Sequence, residues 1–284
     1  MGKRLLWTWL VVISTVATGQ APRATFNGIE EWKHSLARAD LGAMKALYST
    51  APPAKFVGPD KKPTPDITPE FDFWQNIISS NASEFEVNTV GVRDQQALHM
   101  VSLEIALKVH TPNGLRTRYV LEQQAWQQQS DRWRIVAATH SDLLKMRPAL
   151  KPNAHLYDGS ADAKEEIKKA LAKASSSHQR VIVVFGANWC YDCHVLDQAF
   201  HQADVAPILE KNFQIVHVDV GDDGKRNNDL AAKYEIPLQK GIPALAILGP
   251  DGNLLYSQRK GEWESARSLD PDDVIAFLNK WKPN

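Results

Sequence analysis

The chain has 284 residues, enough for two domains that each bury a core. Its 43% apolar and 23% charged composition is that of a folded globular protein, not a disordered or fibrous one. Lys and Arg total 33 and so do Asp and Glu, so no large basic field is available, which argues against a nucleic-acid partner.

Lys3 and Arg4 precede an apolar run from Leu5 to Ala17, followed by the small residues Thr18, Gly19 and Ala21. A basic start, an apolar middle and a small-residue end read as an export signal over residues 1–21, too short to span a bilayer comfortably. The alternative is a retained N-terminal anchor. The expected location is the periplasm.

Next, Phe26, Ile29, Trp32, Leu36 and Leu47 recur at helical spacing and predict one amphipathic helix. Residues 51–69 hold Pro52, Pro53, Pro59, Pro63, Pro65 and Pro69, and predict an irregular loop that could cover something. A helical patch follows at Phe71, Trp74, Ile77 and Ile78. From Glu84 onward the pattern alternates: Phe85, Val87 and Thr89, then Val101, Leu103, Ile105, Leu107 and Val109. Thr111-Pro112-Asn113-Gly114 supplies a hairpin turn, Tyr119, Leu121 and Trp126 continue the sheet, and Trp133 to Ala138 close it. Helices first and an antiparallel sheet afterwards imply an α+β cone.

The run from Asp131 to Ser141, after that hairpin, resembles the end of NTF2-like (SnoaL-like) domains. The resemblance implies a fold over roughly residues 25–145, leaving the ligand of this domain unknown. Residues 22–146 are assigned to it. Residues 147–158, with Pro148 and Pro152, read as a linker, and residues 159–284 as a second domain.

The second domain opens with a helix carrying Ile167, Ala170, Leu171 and Ala174 on one face. Val181–Phe185 and Phe213–Val220 read as buried strands. Ala244–Leu248 and Leu254–Ser257 form a hairpin, and Val274–Trp281 a closing helix. Only two cysteines occur, Cys190 and Cys193, three positions apart. So short a ring removes little unfolded-state entropy, so the pair reads as reactive rather than as a staple. An apolar strand runs through Gly186-Ala187-Asn188-Trp189 into a helix with Val195, Leu196, Ala199 and Phe200. That places Cys190 at a helix N-terminus, where unpaired N–H groups favour a thiolate, and Cys193 one turn on. Asp192 is a first-turn acid whose charge opposes the Cys190 thiolate and predicts a reducing pair.

Trp189-Cys190-Tyr191-Asp192-Cys193 after a strand, Lys233-Tyr234-Glu235-Ile236, Gly241-Ile242-Pro243 before a later strand, and Gly261 together resemble the thioredoxin superfamily. The resemblance implies an α/β thioredoxin-like domain with a central mixed sheet. It also implies a cis Ile242-Pro243 bond against the cysteines, pairing of that loop with substrate backbone, and Trp189 beside the entrance. The chain departs from the family pattern in four places. Val184 stands where a buried acid is usual, His217 aligns where a lysine is usual, Tyr191-Asp192 replaces Gly-Pro, and Pro237-Leu238-Gln239 looks inserted. Tyr191, Asp192 and His217 are therefore candidates for redox tuning, His217 as a proton relay.

The expected function is thiol–disulfide oxidoreduction, most simply reduction of disulfides in envelope proteins, with Cys190 as nucleophile and Cys193 resolving. No cofactor beyond the cysteine pair is expected, and the resemblance implies a membrane electron donor. Two alternatives use the same residues: a metal site at Cys190, Cys193 and His194 with His201, or c-type haem on Cys190-Tyr191-Asp192-Cys193-His194. A third alternative is a binding or scaffold protein acting through the first domain.

Overall fold

Two separate sheets organise the described residues, which in the computed structural model are 26–283 apart from 59, 113 and 131. The export signal read over residues 1–21 lies outside the described residues, as do Pro59, Asn113 and Asp131.

The first domain runs α1 (Gly28–Ala37), α2 (Leu41–Lys45), β1 (Lys55–Val57), β2 (Pro63–Thr64), α3 (Thr68–Ser79), β3 (Ser83–Gln95), β4 (Leu98–Thr111), β5 (Gly114–Gln129) and β6 (Arg132–His140). The strands form one six-stranded sheet in the order β2-β1-β6-β5-β4-β3. Val101, Leu103, Ile105 and Leu107 of β4 are buried at alternate positions and pack with Trp32, Leu36, Trp74 and Ile77 of the helices. This is the expected α+β cone. The predicted single first helix is two. The chain turns at Ala39, with φ 54°, and Asp40 caps α2 by accepting a 2.8 Å hydrogen bond from the Ala43 N–H. The Pro-rich stretch 51–69 is not wholly irregular either. Its Lys55–Val57 pairs in parallel with β6, and Pro63 is accommodated because β2 is the sheet edge, where a missing N–H costs nothing. At the start of α1, a Cβ on Gly28 would stand 2.4 Å from the Trp126 ring, so glycine lets the helix rest on that indole.

The cone interior also buries charge-bearing groups. Glu70 and Glu122 are both fully buried, and each leaves one carboxylate oxygen without a hydrogen-bond partner. Glu70 accepts from the Tyr48 hydroxyl at 3.1 Å and the Trp74 indole at 2.9 Å, and Glu122 from the Gln124 amide at 3.2 Å. His140 stacks on Phe73 at 3.7 Å, with its Nε2 3.7 Å from Glu70. Burial, then the charge of Glu70, pushes the Glu122 carboxyl well above its ordinary value of 4.5.

The second domain runs α4 (Ala163–Ser177), β7 (Arg180–Gly186), α5 (Tyr191–Phe200), α6 (Ala206–Asn212), β8 (Phe213–Asp219), α7 (Asn228–Lys233), β9 (Ala244–Leu248), β10 (Leu254–Ser257) and α8 (Pro271–Trp281). Its sheet has the order β10-β9-β7-β8; β8 is parallel to β7, while β9 is antiparallel to it. After Arg180, strand β7 is unbroken apolar sequence because both its faces are covered. Ile182 and Val184 join α5 and α8 on one side; Val181, Val183 and Phe185 join α4 and α7 on the other.

The predicted linker is fastened along its length instead of hanging between the domains. Leu144 and Tyr119 exchange backbone hydrogen bonds of 2.8 and 3.0 Å. Met146 and Ala149 are buried in the core of the second domain, Arg147 pairs with the buried Glu104 of β4 at 2.8 Å, and Tyr157 is buried. Arg118 of β5 reaches Asp270 at the start of α8 at 2.9 Å, and Arg116 pairs with Asp272. Apolar side chains spaced through a short segment anchor it wherever a core can take them, which proline content alone does not reveal.

Because the folded-state value for Glu122 lies above its ordinary 4.5, the pair favours the fold fully only below that pH. Its contribution falls as pH rises through the folded-state value. Glu122→Gln keeps the shape while removing the titration. Thermal unfolding across pH should show the variant more stable than wild type at neutral pH, by about 4 °C for about 1 kcal/mol. The difference should shrink in acid. A variant less stable at every pH would contradict this account.

Candidate active site

The site forms where the buried strand β7 ends and α5 begins. Cys190 is the N-cap of α5, in extended conformation, and its Sγ accepts the Cys193 N–H at 3.1 Å. A cysteine thus does the work usually left to Ser, Asp or Asn, and its sulfur faces the unpaired N–H groups of the helix start. Cys190 and Cys193 are joined by a disulfide with Cα atoms 5.3 Å apart, and are only 5% and 1% exposed. The Ile242–Pro243 peptide is cis, and the Ile242 carbonyl lies 3.6 Å from the Cys190 sulfur. Trp189 is 58% exposed and donates its indole N–H to the Gly221 carbonyl at 3.2 Å. The cysteine pair, Trp189 and Ile242–Pro243 therefore come together on one surface.

Four residues at the site, Tyr157, Asn188, Gly186 and Arg267, were not singled out from sequence. Tyr157, from the segment read as linker, packs against both cysteines. Its backbone is held in both directions by one side chain: the Tyr157 N–H donates to Asn188 Oδ1 at 2.9 Å, and Asn188 Nδ2 donates to the Tyr157 carbonyl at 2.7 Å. Gly186 makes the space, since a Cβ there would lie 2.2 Å from the Tyr157 hydroxyl oxygen. The only signal available in sequence was an aromatic inside a Pro-containing stretch, and a glycine ending an apolar strand.

Asp192 is not the free carboxylate the sequence reading used. It is buried, accepts the Arg267 backbone N–H at 2.9 Å, and is gripped by the Arg267 guanidinium, whose Nε lies 3.0 Å from Oδ1. That guanidinium also stands 5.0 Å over the Tyr191 ring. With its charge met by Arg267, Asp192 exerts little net repulsion on Cys190, and the predicted reason for a reducing pair falls. Arg267 lies 75 positions further along the chain, so no local pattern could have paired them.

His217 stands on β8 in register with Val184, its ring centroid 5.2 Å from that of Tyr157 in an edge-to-face arrangement and its Nε2 3.8 Å from Asp197. Burial pulls its pKa below the ordinary 6.5, with Asp197 opposing. Its contact on the cysteine side is thus Tyr157. His194 is buried and its Nε2 donates to the Asn188 carbonyl at 2.9 Å, while His201 hydrogen-bonds the Asp197 carbonyl at 2.7 Å. Among the described residues, no three His, Cys, Asp or Glu side chains are grouped to hold a metal ion. Beside Tyr191, a pocket of about 310 Å³ is walled by Leu144, Met146, Pro148 and Val195, with Arg147 and Arg267 at its rim.

Residues 162–250 match a family model described as thioredoxin-like. The thiol:disulfide interchange protein DsbD of Pseudomonas fluorescens is 30% identical over 117 residues, covering 41% of this chain and 18% of that one. DsbD 2 of Pseudomonas aeruginosa is 29% identical over 119 residues, again 41% and 18%. The chain thus spans less than a fifth of the length of these curated relatives. A solved disulphide isomerase from Xylella fastidiosa is 38% identical, with 44% of this chain and 95% of that chain covered and a TM-score of 0.42. An NTF2-like protein from Rhodospirillum rubrum is 14% identical, with 40% and 93% covered and a TM-score of 0.32.

The Asp192–Arg267 pair makes two substitutions move the cysteines in opposite directions. Asp192→Asn leaves the cation of Arg267 near Cys190 and should make the pair more oxidising. Arg267→Ala leaves the anion and should make it more reducing. Shifts of roughly 30 mV, about 1.4 kcal/mol, are expected, with near cancellation in the double variant. Redox titration against glutathione reads all three, and shifts of the same sign would contradict the pairing argument.

Proposed function

We propose that the protein, whose C-terminal part is a thioredoxin-like thiol–disulfide oxidoreductase domain, reduces disulfides in proteins of the cell envelope. The observation that carries this reading is Cys190 capping α5, disulfide-bonded to Cys193 one turn on and facing the Ile242–Pro243 peptide. In the dithiol form, the Cys190 thiolate attacks one sulfur of a substrate disulfide. That bond breaks, a mixed disulfide forms, and the other substrate sulfur leaves as a thiolate. Cys193 then gives up its proton and attacks the Cys190 sulfur, releasing the second substrate thiolate and forming the Cys190–Cys193 disulfide. Two electrons pass from the protein to the substrate. A membrane electron-transfer protein returns the pair to the dithiol.

The reducing direction is supported by burial. Both sulfurs are nearly covered, with Tyr157, Leu156 and Ile242 packed against them, and an apolar surround disfavours a thiolate. A less stabilised dithiol form makes the pair hold its disulfide more firmly and give up electrons more readily. Trp189 and the Ile242–Pro243 loop receive the substrate backbone, and the pocket beside Tyr191 takes an apolar side chain next to the attacked disulfide. The composition of residues 1–21 supports export. The names of the relatives support disulfide exchange as the chemistry.

The full chain should reduce insulin with a dithiol donor, and Cys190→Ser should abolish turnover. Cys193→Ser should accumulate a mixed disulfide on Cys190. The potential should lie nearer about −270 mV than about −120 mV. A value near the upper figure would make the protein an oxidant, and absence of both turnover and trapping would remove the activity altogether.

A further inference from the structure

The Tyr157 hydroxyl is a buried donor with no partner beside the resolving cysteine. The residue is 1% exposed and its oxygen meets no hydrogen-bonding group. A Cβ on Gly186 would stand 2.2 Å from that oxygen and 2.9 Å from the Cys193 sulfur, so the two atoms flank the same point. A buried hydroxyl without a partner is unfavourable and rarely kept without a use. This one is held firmly. Asn188, two residues before Cys190, clamps the Tyr157 backbone from both sides, Gly186 leaves the room, and the His217 ring supports the aromatic edge.

We propose that Tyr157 is a catalytic residue of the exchange reaction, donating a hydrogen bond from its hydroxyl to the Cys193 thiolate during resolution. The inference rests on the oxidoreductase reading above. In the disulfide, Cys193 is a poor acceptor and the donor has nothing to bind. When Cys190 attacks the substrate, the released substrate thiolate takes the Cys193 proton, and a full negative charge appears on a sulfur that water scarcely reaches. Val184 occupies the position under the pair where the family pattern has an acid, and Tyr157, which packs with this sulfur, carries a hydroxyl. A hydrogen bond to the charged form lowers the thiol pKa and supplies the thiolate that attacks Cys190. Tyr157 keeps its own proton throughout. Burial, and then the charges of Asp197 and Asp219, push its pKa up, so it serves as a donor and not as a base. The ionisable groups facing it are His217, held neutral by burial, and those two carboxylates.

Tyr157→Phe in the full chain keeps the ring and removes only the hydroxyl. Mixed-disulfide formation at Cys190 should proceed at the wild-type rate, while its resolution by Cys193 should slow by roughly tenfold or more, as for loss of a hydrogen bond to a charged group. In a Cys190→Ala background, ultraviolet thiolate absorbance should show about tenfold less Cys193 thiolate at a given pH when Tyr157→Phe is added. The oxidised variant should unfold at the wild-type temperature or higher, because an unpartnered hydroxyl has been removed. A packing role alone predicts the reverse: lower stability, with resolution and the Cys193 titration unchanged, and that result overturns the proposal. The titration needs no substrate. A shifted Cys193 pKa in a protein that fails to reduce insulin would therefore remove the proposed activity and leave the hydrogen bond standing, whereas an unshifted pKa in an active protein would remove the hydrogen bond alone.

Discussion

Five residues, from Gly186 at the end of β7 to Cys190 at the start of α5, carry most of the constraint in the second domain. Strand β7 is buried on both faces, so its end is fixed in space, and α5 must start within a few residues of it. Gly186 gives the strand end no side chain and so admits the Tyr157 ring. Asn188 spends its amide on the Tyr157 backbone and its carbonyl on His194. Cys190 then caps the helix with its sulfur. The hydrogen bond that ends the loop is therefore the same one that orders the reactive atom, and a change anywhere in Gly186–Cys190 alters the cover, the cap or both.

The union of the domains follows from charge placed at the right ends. The start of α8 carries Asp270, Asp272 and Asp273, which suit a helix N-terminus, and Asp270 and Asp273 form a capping box there. Arg116, Arg118 and Lys145 approach from the other side. Arg118 is nearly buried, so its pairing with Asp270 is partly offset by desolvation and fixes orientation more than it adds stability. Orientation matters for the site. Leu144, Met146 and Pro148 wall the pocket beside Tyr191, held there by this joint together with the Leu144–Tyr119 backbone bonds and the burial of Met146.

Strong periodic signals survived the passage from sequence to structure. The alternation from Val101 to Val109, the apolar run Val181–Phe185 and the helix after Cys190 were all legible, because burial on one or two faces writes itself into neighbouring residues. The cysteine pair was legible for the same local reason. Features that rest on distant partners were not. The first helix broke at Ala39, where the left-handed turn is held by tertiary packing and by the Asp40 cap, not by a glycine. Residues 55–57 became a strand because β6 offered an open edge. Tyr157 and Arg267 reach the site from 33 residues before Cys190 and 75 after Asp192, and nothing beside them in sequence marks the destination.

The case of Asp192 bears on how such a pair is tuned. An acid one turn from a reactive cysteine reads as repulsion when taken alone. Once Arg267 grips it with two hydrogen-bonding nitrogens and its backbone N–H, the local field near Cys190 is that of an ion pair, which falls off much faster than that of a single charge. Among the described groups facing the sulfurs, Tyr157 stays protonated and His217, one ring further, is kept neutral by burial. What remains to favour a thiolate at Cys190 is the start of α5 and the Cys193 N–H. Against these stands desolvation by a cover that is aromatic and aliphatic. The balance between dithiol and disulfide is therefore set chiefly by how completely Tyr157 and Ile242 shut water out, so anything that lifts that cover changes the chemistry of the cysteines without touching them.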